Sequence, residues 1–307
     1  MLSRVAERVY WMSRYLERVE NTARLIGVYG ELQLDLPEEA GLDWSLPLTI
    51  LGQEEAYYAG DQAEGELQFL LESSQNPLSL LSTLSLAREN TRTTRDVVPT
   101  EAWRAINELH LRAARDLPAM VRRPTAGVSS EIISSCHAIT GILEGTMSHG
   151  PAYWFVRLGR SLERADMTTR MIDVAAAIMM TGREELRLHS NGIWRAILRA
   201  LSSYQMYRQY VRRSISGTDV MTFLLLDPQF PRAVMHCVGV LERGAAALPR
   251  SRAALAKVSV LRNSLENVDL TALDHDTVHR YVDELQLEFA GLHEVIFDTW
   301  LNPMRIS

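Results

Sequence analysis

A thirteen-residue stretch written twice restricts what this chain can fold into more than any other feature. Arg14-Tyr15-Leu16-Glu17-Arg18-Val19-Glu20-Asn21-Thr22-Ala23-Arg24-Leu25-Ile26 aligns, 146 positions later, with Arg160-Ser161-Leu162-Glu163-Arg164-Ala165-Asp166-Met167-Thr168-Thr169-Arg170-Met171-Ile172; seven columns are identical and an eighth keeps its acid. Phe69-Leu70-Leu71 with Gln75 and Pro77 returns at a spacing of 154 as Phe223-Leu224-Leu225 with Gln229 and Pro231, and Trp44 and Trp194, 150 apart, fall between these anchors. A spacing that grows in chain order is the mark of a duplication with small insertions. The halves run over about 1–148 and 149–307.

Within each half the apolar residues recur three and four apart, which is the helical period, and no alternating strand pattern stands out. The spacing predicts helices over about 3–34, 46–58, 62–73, 78–96, 100–116, 130–147, 151–181, 190–213, 218–226, 231–247, 252–267 and 275–301. Pro77 and Pro99 mark starts, and Ser130 and Asp274 are candidate N-caps. The expected fold is all-α, a bundle of about ten to twelve helices over residues 1–307. It is one domain whose two halves share a core about a pseudo-twofold axis, because each half alone would leave a broad apolar face in water. The first half holds 13 basic and 21 acidic residues and the second 19 and 17, an opposite bias that helps the halves dock.

The remaining composition narrows the chemistry. Of 32 basic residues only Lys257 is lysine, so an amine nucleophile or a phosphate-gripping lysine has one candidate, and it lies in Ala254-Leu255-Ala256-Lys257 without a glycine-rich loop. The chain lacks GxGxxG, GxSxG and HExxH, and a pI near 5.8 with no basic tract argues against nucleic-acid binding. No cofactor is expected. Cys136 and Cys237 are too far apart in sequence for a CxxC motif and fit a reduced, cytoplasmic protein. The charges in Ser3-Arg4-Val5-Ala6-Glu7-Arg8 and the shortness of the longest apolar run, 174–180, predict neither secretion nor membrane insertion.

On a helical wheel Arg14, Glu17, Arg18, Glu20, Asn21 and Arg24 share one arc, and Arg160, Glu163, Arg164, Asp166 and Arg170 share the same arc in the second copy. A solvated face laced with ion pairs would not need to keep arginine rather than lysine, nor the order of the pairs. Matched retention instead predicts that Glu17, Arg18, Glu163 and Arg164 are largely buried and hydrogen-bonded, either to line a ligand pocket or as a structural network. A third cluster, Arg88-Glu89-Asn90 with Arg92 and Arg95, joins them as a candidate, whereas its counterpart Glu242-Arg243-Gly244 has lost the pattern. Converging arginine forks and carboxylates suit a ligand with carboxylates and an amine, or a phosphate. His275 and His279, i,i+4 beside Asp274 and Asp276, read as a helix start with surface histidines, so no metal site is expected. His137 beside Cys136 points to a different helix face and makes no dyad with it.

At these residues the chain resembles the bacterial alpha-E domain proteins, all-helical and named for a Glu-Arg motif. Leu16-Glu17-Arg18 with Glu20 and Arg24, Leu162-Glu163-Arg164 with Asp166 and Arg170, Ala87-Arg88-Glu89-Asn90-Thr91-Arg92, and Phe223-Leu224-Leu225-Leu226-Asp227 with Phe230-Pro231-Arg232 are similar to its signature stretches, in order across nearly the whole chain. Thr91 departs from the usual alanine. The resemblance implies proteins found beside, or fused to, a circularly permuted ATP-grasp ligase, often with a transglutaminase-like peptidase and sometimes a proteasome-like one. It implies a helical accessory subunit of a peptide or amide ligase that binds or positions a peptide or amino-acid substrate. Two rivals stand beside that reading: a scaffold whose Glu-Arg networks only hold the fold, and a stand-alone enzyme with Glu17 or Glu163 as general base.

Overall fold

Helix follows helix in a repeated order. The computed structural model describes residues 3–35, 43–60, 62–122, 126–180, 190–273 and 275–302, and every regular element among them is helical. The first series is α1 (Ser3–Asp35), α2 (Ser45–Ile50), α3 (Glu54–Ala59), α4 (Glu66–Leu71), α5 (Leu80–Arg92), α6 (Thr100–Arg122) and α7 (Ala126–Thr146). The second is α8 (Pro151–Met180), α9 (Ser190–Ala200), α10 (Tyr204–Tyr210), α11 (Gly217–Leu226), α12 (Val234–Ala246), α13 (Arg252–Asn267) and α14 (His275–Ile296), closed by a π-helical turn at Phe297–Leu301. Element by element the two series correspond: one long helix, three short ones, then three of intermediate length.

The match extends to local hydrogen bonds. The segments expected as single helices over 46–58 and 190–213 each break after one or three turns. Gln53 N donates to Leu48 O at 2.8 Å, and Ser203 N donates to Leu198 O at 2.7 Å. These bonds close a helix C-terminus across a residue in the left-handed region, Gly52 at φ 65° and Ser202 at φ 51°. The next short helix then brings Tyr57 edge-on to Phe69 at 5.2 Å in one series and Tyr207 edge-on to Phe223 at 5.8 Å in the other. After the prolines, Ser79 caps α5 by accepting from Ser82 N at 3.2 Å, while Ala233 holds the same place before α12 with no hydroxyl to offer.

Other boundaries differ from expectation: the helix expected over 62–73 spans Glu66–Leu71, and the one expected over 78–96 spans Leu80–Arg92. The sixth helix runs past residue 116 to Arg122 through Pro118, because Leu117 and Met120 continue its buried stripe and outweigh the lost backbone donor. The seventh begins before Ser130, at Ala126, so Ser130 is not its cap; Asp274 lies outside the described residues.

The chain divides into two compact units. The first takes the described residues up to Arg160 and again from Trp300, and the second takes Ser161–Thr299. In the first unit α1 packs on α5, α5 on α6, α6 on α7 and α7 on α1, a ring of four helices around Val9, Met12, Val19, Leu84, Ile106 and Ile139, all buried. In the second, α12, α13 and α14 pack in chain order, and α8 meets α14 through Asp173 and His279. Among the described residues no helix is long and apolar enough to cross a membrane.

Candidate functional site

Because α1 lies between α5 and α7, both its apolar and its charged arcs leave water. Val9, Met12, Leu16, Val19, Ala23 and Ile26 are buried, and so are Arg14, Glu17, Glu20, Asn21 and Arg24. Glu17 and Glu20 are each 2% exposed. Charges held this far from water must find partners, since an isolated buried carboxylate is too costly to keep ionised. Arg14 places its guanidinium 5.0 Å from the centroid of the Trp11 ring. Arg18 is half-buried.

Glu20 and Arg24 form the centre of the site. Arg24 donates from Nε at 3.0 Å and from Nη2 at 2.8 Å to the same oxygen, Glu20 Oε1. His137 of α7 brings Nε2 to 2.6 Å from Arg24 Nη2 and 3.2 Å from Glu20 Oε1. One imidazole nitrogen therefore lies against both members of the pair. The imidazole side chain is 59% exposed against 8% and 3% for the arginine and glutamate. A carboxylate and a guanidinium at depth thus sit behind an imidazole that water and solutes reach. The sequence did note His137, but only beside Cys136, which is buried as expected. What brings it to Glu20 is the stripe Ile132, Cys136, Ile139 and Leu143, which fixes the face of α7 that meets α1.

The third cluster makes contacts of its own on α5 and α6. Arg88 donates to Asn107 Oδ1 on α6 at 2.7 Å and lies 5.9 Å from the Trp103 ring. Arg92 closes on Glu89 with Nε at 2.8 Å and Nη2 at 2.7 Å, on a surface about half open to water. That hydrogen bond holds the Glu89 carboxyl below its ordinary range. Asn90 is half-buried and its carbonyl accepts from Thr94 Oγ1 at 2.8 Å. Burial of His110 beside Ser85, with the Arg88 charge nearby, pushes the imidazole pKa down.

On α8 the second copy of the motif is divided. Arg160, still in the first unit, reaches Glu144 of α7 together with Arg157 at 2.8 Å and the Tyr153 hydroxyl at 2.7 Å. Burial acts to raise the Glu144 pKa, but the hydrogen bonds from Tyr153 and Arg160 and the two positive charges outweigh it and bring the carboxyl down to about 2. Nothing in the sequence marked Glu144, since its partners come from the next helix. In the second unit Glu163 is 2% exposed, and half-buried Arg164 donates to Pro231 O at 3.5 Å. Thr168 Oγ1 donates to Arg232 O at 2.9 Å, so the α8 motif grips the turn carrying Phe230-Pro231-Arg232. Arg170 donates to Asp166 Oδ2 at 2.9 Å in a half-buried pair. Lys257, the sole lysine, is engaged by Glu288 at 3.1 Å.

Two Glu-Arg helices in one chain, each with its glutamate buried, match a described family. Residues 1–301 match Alpha-E, described as a predicted alpha-helical domain with a conserved ER motif. The chain belongs to the alpha-E family. Similar proteins are an uncharacterized protein of Mycobacterium bovis and one of Mycobacterium tuberculosis, each 23% identical over 270 residues. The alignment covers 81% of this chain and 30% of either relative, so the alpha-E chain spans under a third of their length. No solved structure matches it.

Proposed function

We propose that this alpha-E chain is a helical accessory subunit of an ATP-grasp-dependent peptide or amide ligase, and that it presents a peptide or amino-acid substrate through its Glu/Arg face. The observation that carries the reading is the Glu20–Arg24–His137 group. Its carboxylate and guanidinium offer opposite charges 2.8 Å apart, with an exposed imidazole in front. An amino acid or peptide terminus carries the complementary ammonium and carboxylate, and on entry it would replace His137 as the partner of both. Two features support an accessory rather than a self-contained role. The chain has no phosphate loop. Its mycobacterial relatives are more than three times as long as the matching region, so an alpha-E region accompanies further polypeptide there. The partner is the circularly permuted ATP-grasp protein that the family resemblance implies, with a transglutaminase-like peptidase as a second associate.

The same burial favours one rival, a network that only holds α1 against α7. Arg24→Lys and His137→Ala separate the two. Mixed with the ATP-grasp protein, ATP and an amino-acid acceptor, the native chain should raise amide formation. Arg24→Lys should lower it at least tenfold with the helix signal and association intact, because an ammonium cannot reproduce the guanidinium fork. His137→Ala, which opens the mouth, should leave it within threefold. If both variants ligate normally, the face is structural.

A further inference from the structure

We propose that Asp173, His279 and Asp283 bind a divalent transition-metal ion, of the borderline-soft kind typified by zinc, at the crossing of α8 and α14 in the second unit. This site is separate from the Glu/Arg face and does not rest on the ligase reading.

One ring nitrogen of His279 and one oxygen from each carboxylate all lie within 4.8 Å of one another. Tetrahedral zinc, with bonds of about 2.0–2.2 Å, would set such atoms roughly 3.3 Å apart, a change that side-chain rotation supplies. His279 Nδ1 already meets Asp173 Oδ1 across the two helices, and Asp283 Oδ2 lies 3.6 Å from Nε2 one turn along α14. The i,i+4 spacing of His279 and Asp283 puts both on one helix face, and Asp173 supplies the third ligand from the facing helix. Three protein ligands leave the fourth position to water. Imidazole with two carboxylates selects zinc, cobalt, nickel or manganese over calcium, which prefers six or more oxygens.

The charges favour a cation. The Asp173 and Asp283 carboxylates both approach the His279 ring at this crossing. Arg170, the nearest positive side chain of α8, is already paired with Asp166, and Asp276 adds a further negative charge near His279. A divalent ion neutralises both carboxylates at once.

Cobalt(II) chloride titrated into the full chain tests this. The expected result is one equivalent bound, with the visible ligand-field bands of a four-coordinate ion, displaced by zinc. Asp283→Asn, at an exposed position, should weaken binding at least tenfold, His279→Ala should abolish the bands, and His149→Ala should leave them unchanged. Circular dichroism shows that each variant keeps its helix signal; should His279→Ala lose it, Asp283→Asn alone decides. Absence of stoichiometric cobalt, or bands that survive Asp283→Asn at undiminished affinity, overturns the site.

Discussion

Glu20 and Asp166 occupy the same column of the duplication, yet they live in different surroundings. The Glu20 side chain is 3% exposed, doubly bonded by Arg24 and approached by His137, whereas the Asp166 side chain is 20% exposed and held by Arg170 through one nitrogen. Shortening the acid by one methylene goes with a shallower seat. Both long helices carry an i,i+4 acid–arginine pair, and the neighbouring helix decides whether it becomes a buried group. In the first unit Arg88 of α5 donates to Asn107 of α6 at 2.7 Å, and in the second Arg262 of α13 donates to Glu242 of α12 at 2.6 Å.

Removing the acid should expose that difference most strongly. Glu20→Ala takes a doubly bonded carboxylate away from a buried guanidinium and should cost about 3–5 kcal/mol in urea unfolding. Asp166→Ala should cost about 1 kcal/mol or less. Equal losses would mean that the two pairs are energetically alike in spite of their burial.

Glu144 gives the next largest effect and ties it to pH. Its carboxyl drops from an ordinary 4.5 to about 2, so its contribution is complete above 4.5 and fades as pH falls from 4.5 toward 2. Glu144→Gln should cost about 2 kcal/mol at pH 7 and flatten the acid limb of the stability profile over that window. A profile of unchanged steepness would show that Arg157 and Arg160 do not act on this group.

The paired turns should differ by about 1 kcal/mol in opposite directions. Ser202→Gly relieves a left-handed serine and should stabilise, while Gly52→Ala forces a side chain into the same conformation and should destabilise. Thermal unfolding of the two variants measures both signs. Smallest is the effect at His279. Its hydrogen bond to Asp173 raises the imidazole pKa, so without added metal its contribution is full below 6.5 and lost as pH rises through the raised value. His279→Gln should remove that slope.

These turns also explain what the sequence could and could not reveal. The spacings of 146, 150 and 154 carried the all-helical order, because anchor residues such as Phe69 and Phe223 recur with the contacts they make. The breaks at Gly52 and Ser202 were hidden: one glycine inside an apolar pattern is a weak signal, and a serine there is none. The burial of Glu17 and Glu163 was legible from matched retention. His137 and Glu144 were not, because their roles arise from helices that meet only in the folded chain, 113 positions separating His137 from Arg24. The α5 cluster looked equal to the others in sequence, but the i,i+3 pair Glu89–Arg92 closes on itself at the surface.

The central claim is that the buried Glu20–Arg24 pair serves a substrate and not the fold alone. Its most direct measurement is the rate of amide formation by the ATP-grasp protein with native chain, with Arg24→Lys, and with no alpha-E chain, at matched helix content and association. The native chain should accelerate ligation, and Arg24→Lys should fall to at most a tenth of that acceleration. Equal rates in all three mixtures, or turnover of ATP by the isolated alpha-E chain, would contradict the claim.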